Sequence, residues 1–192
     1  MKYLNQLVIA NPDKCVGCRI CEVACSIVHA DEEETPLTVG SMKNPVQPRL
    51  HLVRTAEVTA PIQCKHCEDA PCANSCPAGA ISQADNSIIL DEEMCTGCKN
   101  CLLACPFGAI ELKPVYHNGE PEYQLCQEEK NNELVNKQRF AATKCDLCAP
   151  FAEPACVANC PHDALTFVVP ELHRKQRNYQ AARNLSAIFS CA

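Results

Sequence analysis

The stretch Cys95-Thr-Gly-Cys-Lys-Asn-Cys-Leu-Leu-Ala-Cys-Pro-Phe-Gly-Ala-Ile110 places four cysteines at positions 95, 98, 101 and 105, with a proline directly after the last one. Three thiolates, each separated from the next by two residues, can hold one face of a 4Fe–4S cluster. The fourth thiolate lies beyond this loop and ligates a second cluster. One such run therefore predicts a partner run elsewhere in the chain.

Three further groups of four cysteines occur. With the run above counted as group three, the groups are Cys15, Cys18, Cys21 and Cys25 (group one); Cys64, Cys67, Cys72 and Cys76 (group two); and Cys145, Cys148, Cys156 and Cys160 (group four). Proline follows the last cysteine of groups two, three and four, whereas Ser26 follows that of group one. The similar turns at 76–81, 105–110 and 160–165 indicate an internal repeat, in which proline ends a short helix and the chain returns as a strand.

The cysteine spacing indicates which kind of cross-link stabilises the chain. Its 192 residues include 18 cysteines, five phenylalanines and no tryptophan, so large side chains can build little of a dense core. Tight groups of four cysteines favour metal ligation over disulfides. Zinc is usually held by two separated C-x2-C knuckles, so triplets followed by a distant Cys-Pro favour four 4Fe–4S clusters instead.

Charge and the N-terminal sequence restrict the location and the partners. The net charge of −6 argues against nucleic acid as a partner and suits basic faces of proteins. The first ten residues have neither the features of a signal peptide nor a twin-arginine pair, and no apolar run reaches the ~20 residues of a membrane span. We expect a reduced, cytoplasmic protein without a membrane span.

The ligands of each cluster depend on how the groups pair. Adjacent groups two and three are expected to pair, which leaves groups one and four to pair around them. With the fourth cysteine of each group exchanged, the sites are Cys15, Cys18, Cys21 and Cys160 (site A); Cys145, Cys148, Cys156 and Cys25 (site B); Cys64, Cys67, Cys72 and Cys105 (site C); and Cys95, Cys98, Cys101 and Cys76 (site D). A competing scheme pairs one with two and three with four, and is disfavoured because it combines group one, which lacks the proline, with group two.

The residues outside these tetrads indicate no catalytic site. Cys126 and Cys191 are expected to be free thiols, and the histidines near the groups (His66, His117 and His162) to be surface or supporting residues. All four tetrads are complete, which leaves no open iron position, and no G-x-G-x-x-G loop for a nucleotide occurs. The sequence therefore predicts an electron carrier rather than an enzyme.

An α+β fold with two ferredoxin-like modules follows from these motifs. Short strands are expected at 3–9, 50–55, 87–90, 109–112 and 165–169, a helix from 20 to about 30, and a proline-containing loop at 31–48. The outer module is discontinuous (1–55 and 141–170), and the inner module (56–113) is inserted into it. Residues 114–140 are expected to form a surface insertion.

The tail at 171–192 is expected to be an amphipathic helix. Apolar residues recur at helical spacing (Leu172, Tyr179, Ala182, Leu185 and Phe189), and basic residues lie on other faces (Arg174, Lys175, Arg177 and Arg183). Two interpretations of this helix are open. The helix packs on its own domain, or it docks on a partner or drives assembly.

A family resemblance lies in the order of the groups, the run Cys-Lys-His-Cys-Glu-Asp-Ala-Pro-Cys at 64–72, the Cys-Pro-Phe-Gly-Ala-Ile turn and the Cys-Asp-Leu-Cys start of group four. In these features the chain resembles the four-cluster subunits of the HycB/HydN type. The resemblance covers about residues 3–170 and shares the exchanged pairing above. It implies electron transfer between a molybdenum or tungsten formate dehydrogenase subunit and an iron hydrogenase subunit, with a second four-cluster subunit as a further partner. In some such assemblies a C-terminal helix builds filaments. The alternatives are a subunit of a tungsten aldehyde oxidoreductase and a free soluble polyferredoxin.

Overall fold

The computed structural model describes residues 4–30, 44–130, 133–149 and 151–189. The helices are α1 (Ile20–Val28), α2 (Pro71–Asn74), α3 (Asn100–Ala104), α4 (Ala155–Ala158) and α5 (Pro170–Phe189). The strands are β1 (Leu7–Ala10), β2 (His51–Arg54), β3 (Thr59–Ile62), β4 (Ile81–Ala84), β5 (Ser87–Leu90), β6 (Glu111–Pro114), β7 (Tyr116–His117), β8 (Glu120–Pro121), β9 (Tyr123–Lys130), β10 (Glu133–Gln138), β11 (Phe140–Thr143) and β12 (Leu165–Val168). Within these ranges, none of the helices combines the length and the apolar content that crossing a bilayer requires.

Antiparallel strand pairs alternate with the cysteine groups. The pair β2/β3 lies between groups one and two, β4/β5 between groups two and three, and β6/β11 between groups three and four. The pair β1/β12 joins the two ends of the chain, because Leu7 pairs with Val168 and Ala10 with Leu165. The four groups and four pairs therefore form a closed ring in space.

The ring consists of two similar halves. The first residue pair of β4/β5 is Ile81 with Leu90, and the corresponding pair of β12/β1 is Leu165 with Ala10. In both cases the first residue lies 5 positions after the last cysteine of one group, and the second lies 5 positions before the first cysteine of the next. The junction between the chain ends is therefore built like the continuous hairpin β4/β5.

Small side chains dominate the interior. Val8, Leu50 and Ile88 are large apolar residues with almost no exposed surface, but most of the other buried apolar residues are alanine or cysteine. Such a core buries little apolar surface for each residue that the fold must order. We therefore expect the groups that the cysteines bind to supply much of the stability of this fold.

The α+β class and most of the predicted short elements are present. Strand β5 has the predicted bounds, and the other predicted strands and helix α1 differ by a few residues at their ends. The predicted surface insertion at 114–140 contains two hairpins, β7/β8 and β9/β10, which the sequence analysis did not anticipate. Strand β11 crosses the predicted boundary at residues 140 and 141. Much of the predicted loop, 31–43, lies outside the described residues.

Helix α5 extends away from the rest of the chain. Its side chains from 172 to 186 are exposed, including the apolar Leu172, Tyr179 and Leu185. Within the described ranges, its first turns lie against the strands at the chain ends, and His173 N donates to the carbonyl of Val169. The apolar side chains of Leu172, Tyr179 and Leu185 therefore lack cover from the described part of the chain.

Candidate cluster-binding sites

Groups one and three begin with the same backbone turn. Asn11 Oδ1 accepts a hydrogen bond from the N–H of Asp13, and the Asp91 Oδ1 accepts one from Glu93, both at 2.9 Å. Further along each loop, Gly17 and Gly97 adopt positive φ angles of 74° and 67°, which glycine tolerates best. These turns curl each loop so that its first three thiols gather around one point.

Two of the predicted tetrads line small surface cavities. Cys15, Cys18, Cys21 and Cys160 border one cavity together with apolar residues that include Leu52 and Leu165. Cys76, Cys95, Cys98 and Cys101 border a second cavity, again among apolar side chains such as Ile81 and Leu112. Each cavity joins three thiols of one group with the last thiol of another group.

A third set of thiols is buried between helices α1 and α4, which pack on each other. Burial raises the pKa of Cys145 far above the usual thiol range and that of Cys156 to about 12, and the thiol of Cys25 acts on both in the same direction. Burial also raises the pKa of Cys148, again with a contribution from Cys25. The last thiol of group one therefore lies among the first three thiols of group four.

The fourth set combines groups two and three. Burial raises the pKa of Cys67 and Cys72, and the thiols of Cys64 and Cys105 raise both further. A raised pKa means that a buried thiolate lacks enough positive charge nearby. Iron cations would supply that charge and displace the thiol protons. The donor chemistry of these thiols therefore fits a metal cluster.

Backbone N–H groups point at a sulfur in each tetrad. Such hydrogen bonds stabilise thiolates and help to set the reduction potential of a cluster. The donor and acceptor pairs are Ala164 N to Cys160 Sγ (3.3 Å), Arg49 N to Cys25 Sγ (3.3 Å), His66 N to Cys64 Sγ (3.4 Å), Ala109 N to Cys105 Sγ (3.4 Å) and Ala142 N to Cys95 Sγ (3.3 Å).

Comparison with known proteins identifies the family. The electron transport protein HydN of Escherichia coli (strain K12) is 38% identical over 172 residues, which cover 86% of this chain and 89% of HydN. The chain belongs to the HydN-like family. Hydrogenase-4 component A of the same organism is 39% identical over 188 residues, covering 90% of this chain and 87% of that protein. Within this HydN-like chain, residues 56–135 match the model of a 4Fe-4S dicluster domain.

Relatives of different length share the same region. An iron-sulfur protein of Rhodospirillum rubrum is 33% identical over 193 residues, covering 95% of this HydN-like chain and 92% of that protein. AegA of Escherichia coli (strain K12) is 39% identical over 168 residues, but the matched part is only 22% of AegA. The HydN-like chain is an iron–sulfur electron transport protein with 4Fe–4S clusters. This favours iron–sulfur clusters over zinc as the groups that the cysteines bind.

Cysteines of the four predicted sites of this HydN-like chain contribute to two neighbouring cores. One core contains Cys21, Cys25, Cys64 and Cys145, and a second contains Cys72 and Cys101, while Cys105 packs against both. Exposed thiols, Cys18 and Cys98, occur in predicted sites A and D, and mostly buried thiols in predicted sites B and C.

Charged residues around site B were missed in the sequence analysis of this HydN-like chain. His29 Nε2 lies 3.0 Å from Asp146 Oδ1, and Arg49 Nη1 donates to Asp146 Oδ2 at 2.6 Å. Burial lowers the pKa of His29, but the hydrogen bonds to Asp146 and Cys25 and the negative charge of Asp146 together outweigh burial and raise it to about 9. Because Ser26 replaces the usual proline, helix α1 continues to Val28 and brings His29 to this site. Ser26 in place of proline was the feature of the sequence from which the longer helix could have been predicted.

The remaining predicted residues have the following places. His66 is buried, and its Nδ1 accepts a hydrogen bond from Ile88 N at 2.9 Å. His117 and His162 are exposed. Cys126 is exposed on β9, where its Sγ donates to Gln124 Oε1, and Cys191 lies outside the described residues. The histidines of this HydN-like chain thus occupy surface and supporting positions, as expected.

Proposed function

We propose that the chain is a non-catalytic electron-transfer subunit in which sites A, B, C and D each hold one 4Fe–4S cluster. When bound, a 4Fe–4S cluster supplies one-electron redox chemistry. The sixteen cysteines of groups one to four provide the thiolates, and the apolar residues around them limit the access of water. The observation that supports this proposal is that thiols of two different groups line one cavity for sites A and D, and that thiols of two different groups act on one another for sites B and C.

We infer that electrons enter at one end of the row of sites and leave at the other. The exposed thiols Cys18 and Cys98 belong to sites A and D, which we propose as the two ends, and give each end a face that a partner can approach. Two core regions connected through Cys105 support a continuous row. A protein with two accessible ends fits a position between a donor and an acceptor.

We propose the nested modules as the architecture behind this row. Residues 1–55 and 141–170 form the outer module, 56–113 the inner module and 114–140 an insertion. Pairing of β1 with β12 and packing of α1 on α4 support the outer module. The hairpin β4/β5 and packing of α2 on α3 support the inner one.

For the partners, we propose a molybdenum or tungsten formate dehydrogenase subunit and an iron hydrogenase subunit, with a second four-cluster subunit in the same complex. The similarity to hydrogenase-4 component A supports a hydrogenase as one partner. The net charge of −6 suits basic docking faces. We place the protein in the cytoplasm, where thiols stay reduced.

The exposed helix α5 supports docking or filament assembly through residues 171–192. Isolated helices gain most of their stability from packing an apolar face, and Leu172, Tyr179 and Leu185 find no such cover within the described part of the chain. Deletion of residues 171–192 should leave the iron content unchanged and reduce the size of the assembly measured by light scattering. Unchanged assembly would argue against this role.

The experiment that tests the function is anaerobic purification followed by analysis of iron and sulfide. We expect about sixteen irons per chain and reversible reduction at low potential. Adding the chain to separated formate dehydrogenase and hydrogenase should restore hydrogen production from formate. Four zinc ions without visible absorption would contradict the cluster assignment, and full clusters without restored transfer would contradict the partners.

A further inference from the structure

A buried lysine lies directly before group four. Lys144 is only 3% exposed. Its ammonium donates hydrogen bonds to the carbonyl oxygens of Ile88 and Cys145, the latter at 2.8 Å. Among residues 4–30, 44–130, 133–149 and 151–189, no carboxylate forms an ion pair with it. Burying a cation without a paired anion costs free energy. We therefore look for a function that this buried charge serves.

The positive charge of Lys144 acts on residues of site C. Burial raises the pKa of the Cys72 thiol, and Lys144 opposes that change because it favours the thiolate. Burial and the positive charge of Lys144 together lower the pKa of His66 to about 3. The positive charge of Lys144 therefore affects two residues of group two, His66 in the loop and Cys72 in helix α2.

His66 offers a second feature that points to the same site. Because Nδ1 accepts a hydrogen bond from Ile88 N, the ring proton resides on Nε2. That Nε2 is buried and has no hydrogen-bond partner. The residue lies between Cys64 and Cys67, two ligands of site C. A buried N–H without an acceptor at this position fits a 4Fe–4S cluster, whose sulfur atoms can accept its hydrogen bond.

The chain contains its own comparison for Lys144. Gln63 directly precedes Cys64, as Lys144 precedes Cys145, and its Nε2 donates to the carbonyl of Val8 at 3.2 Å. Val8 lies in β1, whose pair with β12 is built like β4/β5, the hairpin that contains Ile88. A neutral amide therefore makes the corresponding bond elsewhere in the fold. The ammonium of Lys65 donates to the same Val8 carbonyl at 3.1 Å, but Lys65 is only partly buried, so Lys144 differs from Gln63 and Lys65 in carrying a fully buried charge.

We propose that the buried positive charge of Lys144 raises the reduction potential of the cluster in site C. In this proposal the Nε2–H of His66 donates an additional hydrogen bond to that cluster. This inference rests on the proposed function. Reduction transfers one electron from the donor partner and adds one negative charge to the site. A buried cation stabilises that added charge, since water screens it little. Net charge and hydrogen bonds to sulfur are known determinants of cluster potentials.

The test compares Lys144→Gln, which copies Gln63, with Lys14→Gln in the full chain. Lys14 also directly precedes the first cysteine of a group, but it is exposed. Each protein is titrated anaerobically with dithionite and followed by electron paramagnetic resonance, with iron measured in parallel. For Lys144→Gln we expect one of the four clusters to show about a tenfold lower ratio of reduced to oxidised form at fixed potential, a shift of about 59 mV for a one-electron couple. Lys14→Gln should shift much less.

Additional variants separate charge from structure. Lys144→Arg keeps the charge and should keep the wild-type potential. If Lys144→Gln loses iron, Lys144→Met is titrated in its place. Full iron content with unchanged potentials in the neutral variant would overturn this inference, as would an equal shift in Lys144→Arg. Low iron in the wild-type protein would instead contradict the proposed function.

Discussion

The exchange of the fourth ligand between groups can be tested by counting irons in double variants. Cys18 and Cys160 line the same cavity although 142 positions of sequence separate them. Replacing either with alanine removes one ligand from site A, without leaving an oxygen that could substitute for sulfur. Cys148 belongs to site B and provides the matched control, because it lies in the same group as Cys160.

The expected losses follow from which sites are affected. Each of Cys18→Ala and Cys160→Ala should lose about four of about sixteen irons per chain. The Cys18→Ala/Cys160→Ala double variant should still lose only about four, since two changes at one site are not additive. The Cys148→Ala/Cys160→Ala double variant should lose about eight, since it damages two sites.

The assay is the content of iron and acid-labile sulfide per chain. Spin counting after reduction checks the number of clusters. The reverse result would refute the reasoning, namely a loss of about eight irons when Cys18 and Cys160 are both replaced and of about four when Cys148 and Cys160 are. In that case Cys160 would share a cluster with its own group, and the exchanged pairing would be wrong. The comparison needs no assignment of individual spectra.

Three further predictions concern stability, each measured by anaerobic urea denaturation. Ile88→Ala should lower the free energy of unfolding by about 2–5 kcal/mol, because Ile88 is 1% exposed and the change leaves a cavity; a loss below about 1 kcal/mol would contradict its role in the core. Gly97→Ala should destabilise more than Gly79→Ala, because a Cβ at Gly97 would lie 2.9 Å from a backbone oxygen of β11, whereas nothing lies within 4 Å at Gly79; equal effects would show that only the positive φ matters. The contribution of protonated His29 should be fully present below about pH 6.5 and decline as pH rises through about 9, since its pKa is raised in the folded state. Asp146→Asn should remove that decline, and an unaltered pH profile would rule out the ion pair as its source.

Local sequence patterns predicted much of this fold because cysteine spacing and proline act over a few residues. Strand β5, the turn after Cys105 and the position of helix α1 follow from such short-range signals. The hairpin β9/β10 was not anticipated, since its sequence is mostly polar and, among the residues that the structure describes, its strands pair with each other and with no further strand. Its exposed Leu125 and Leu134 also give no burial pattern from which to read alternation.

The sequence by itself determined the chemistry of the protein, because thiols at fixed spacing specify the kind of metal group and the number of sites. Only the tertiary structure decided which sites are buried and which charges surround them. Lys144 and Lys14 hold the same position before a cysteine, yet one is buried and the other is exposed. That difference comes from strands that meet over long sequence distances, and the electrostatic effect of a charge depends on the surrounding dielectric. Spacing therefore specifies the ligands, whereas packing determines the electrostatic surroundings of each site.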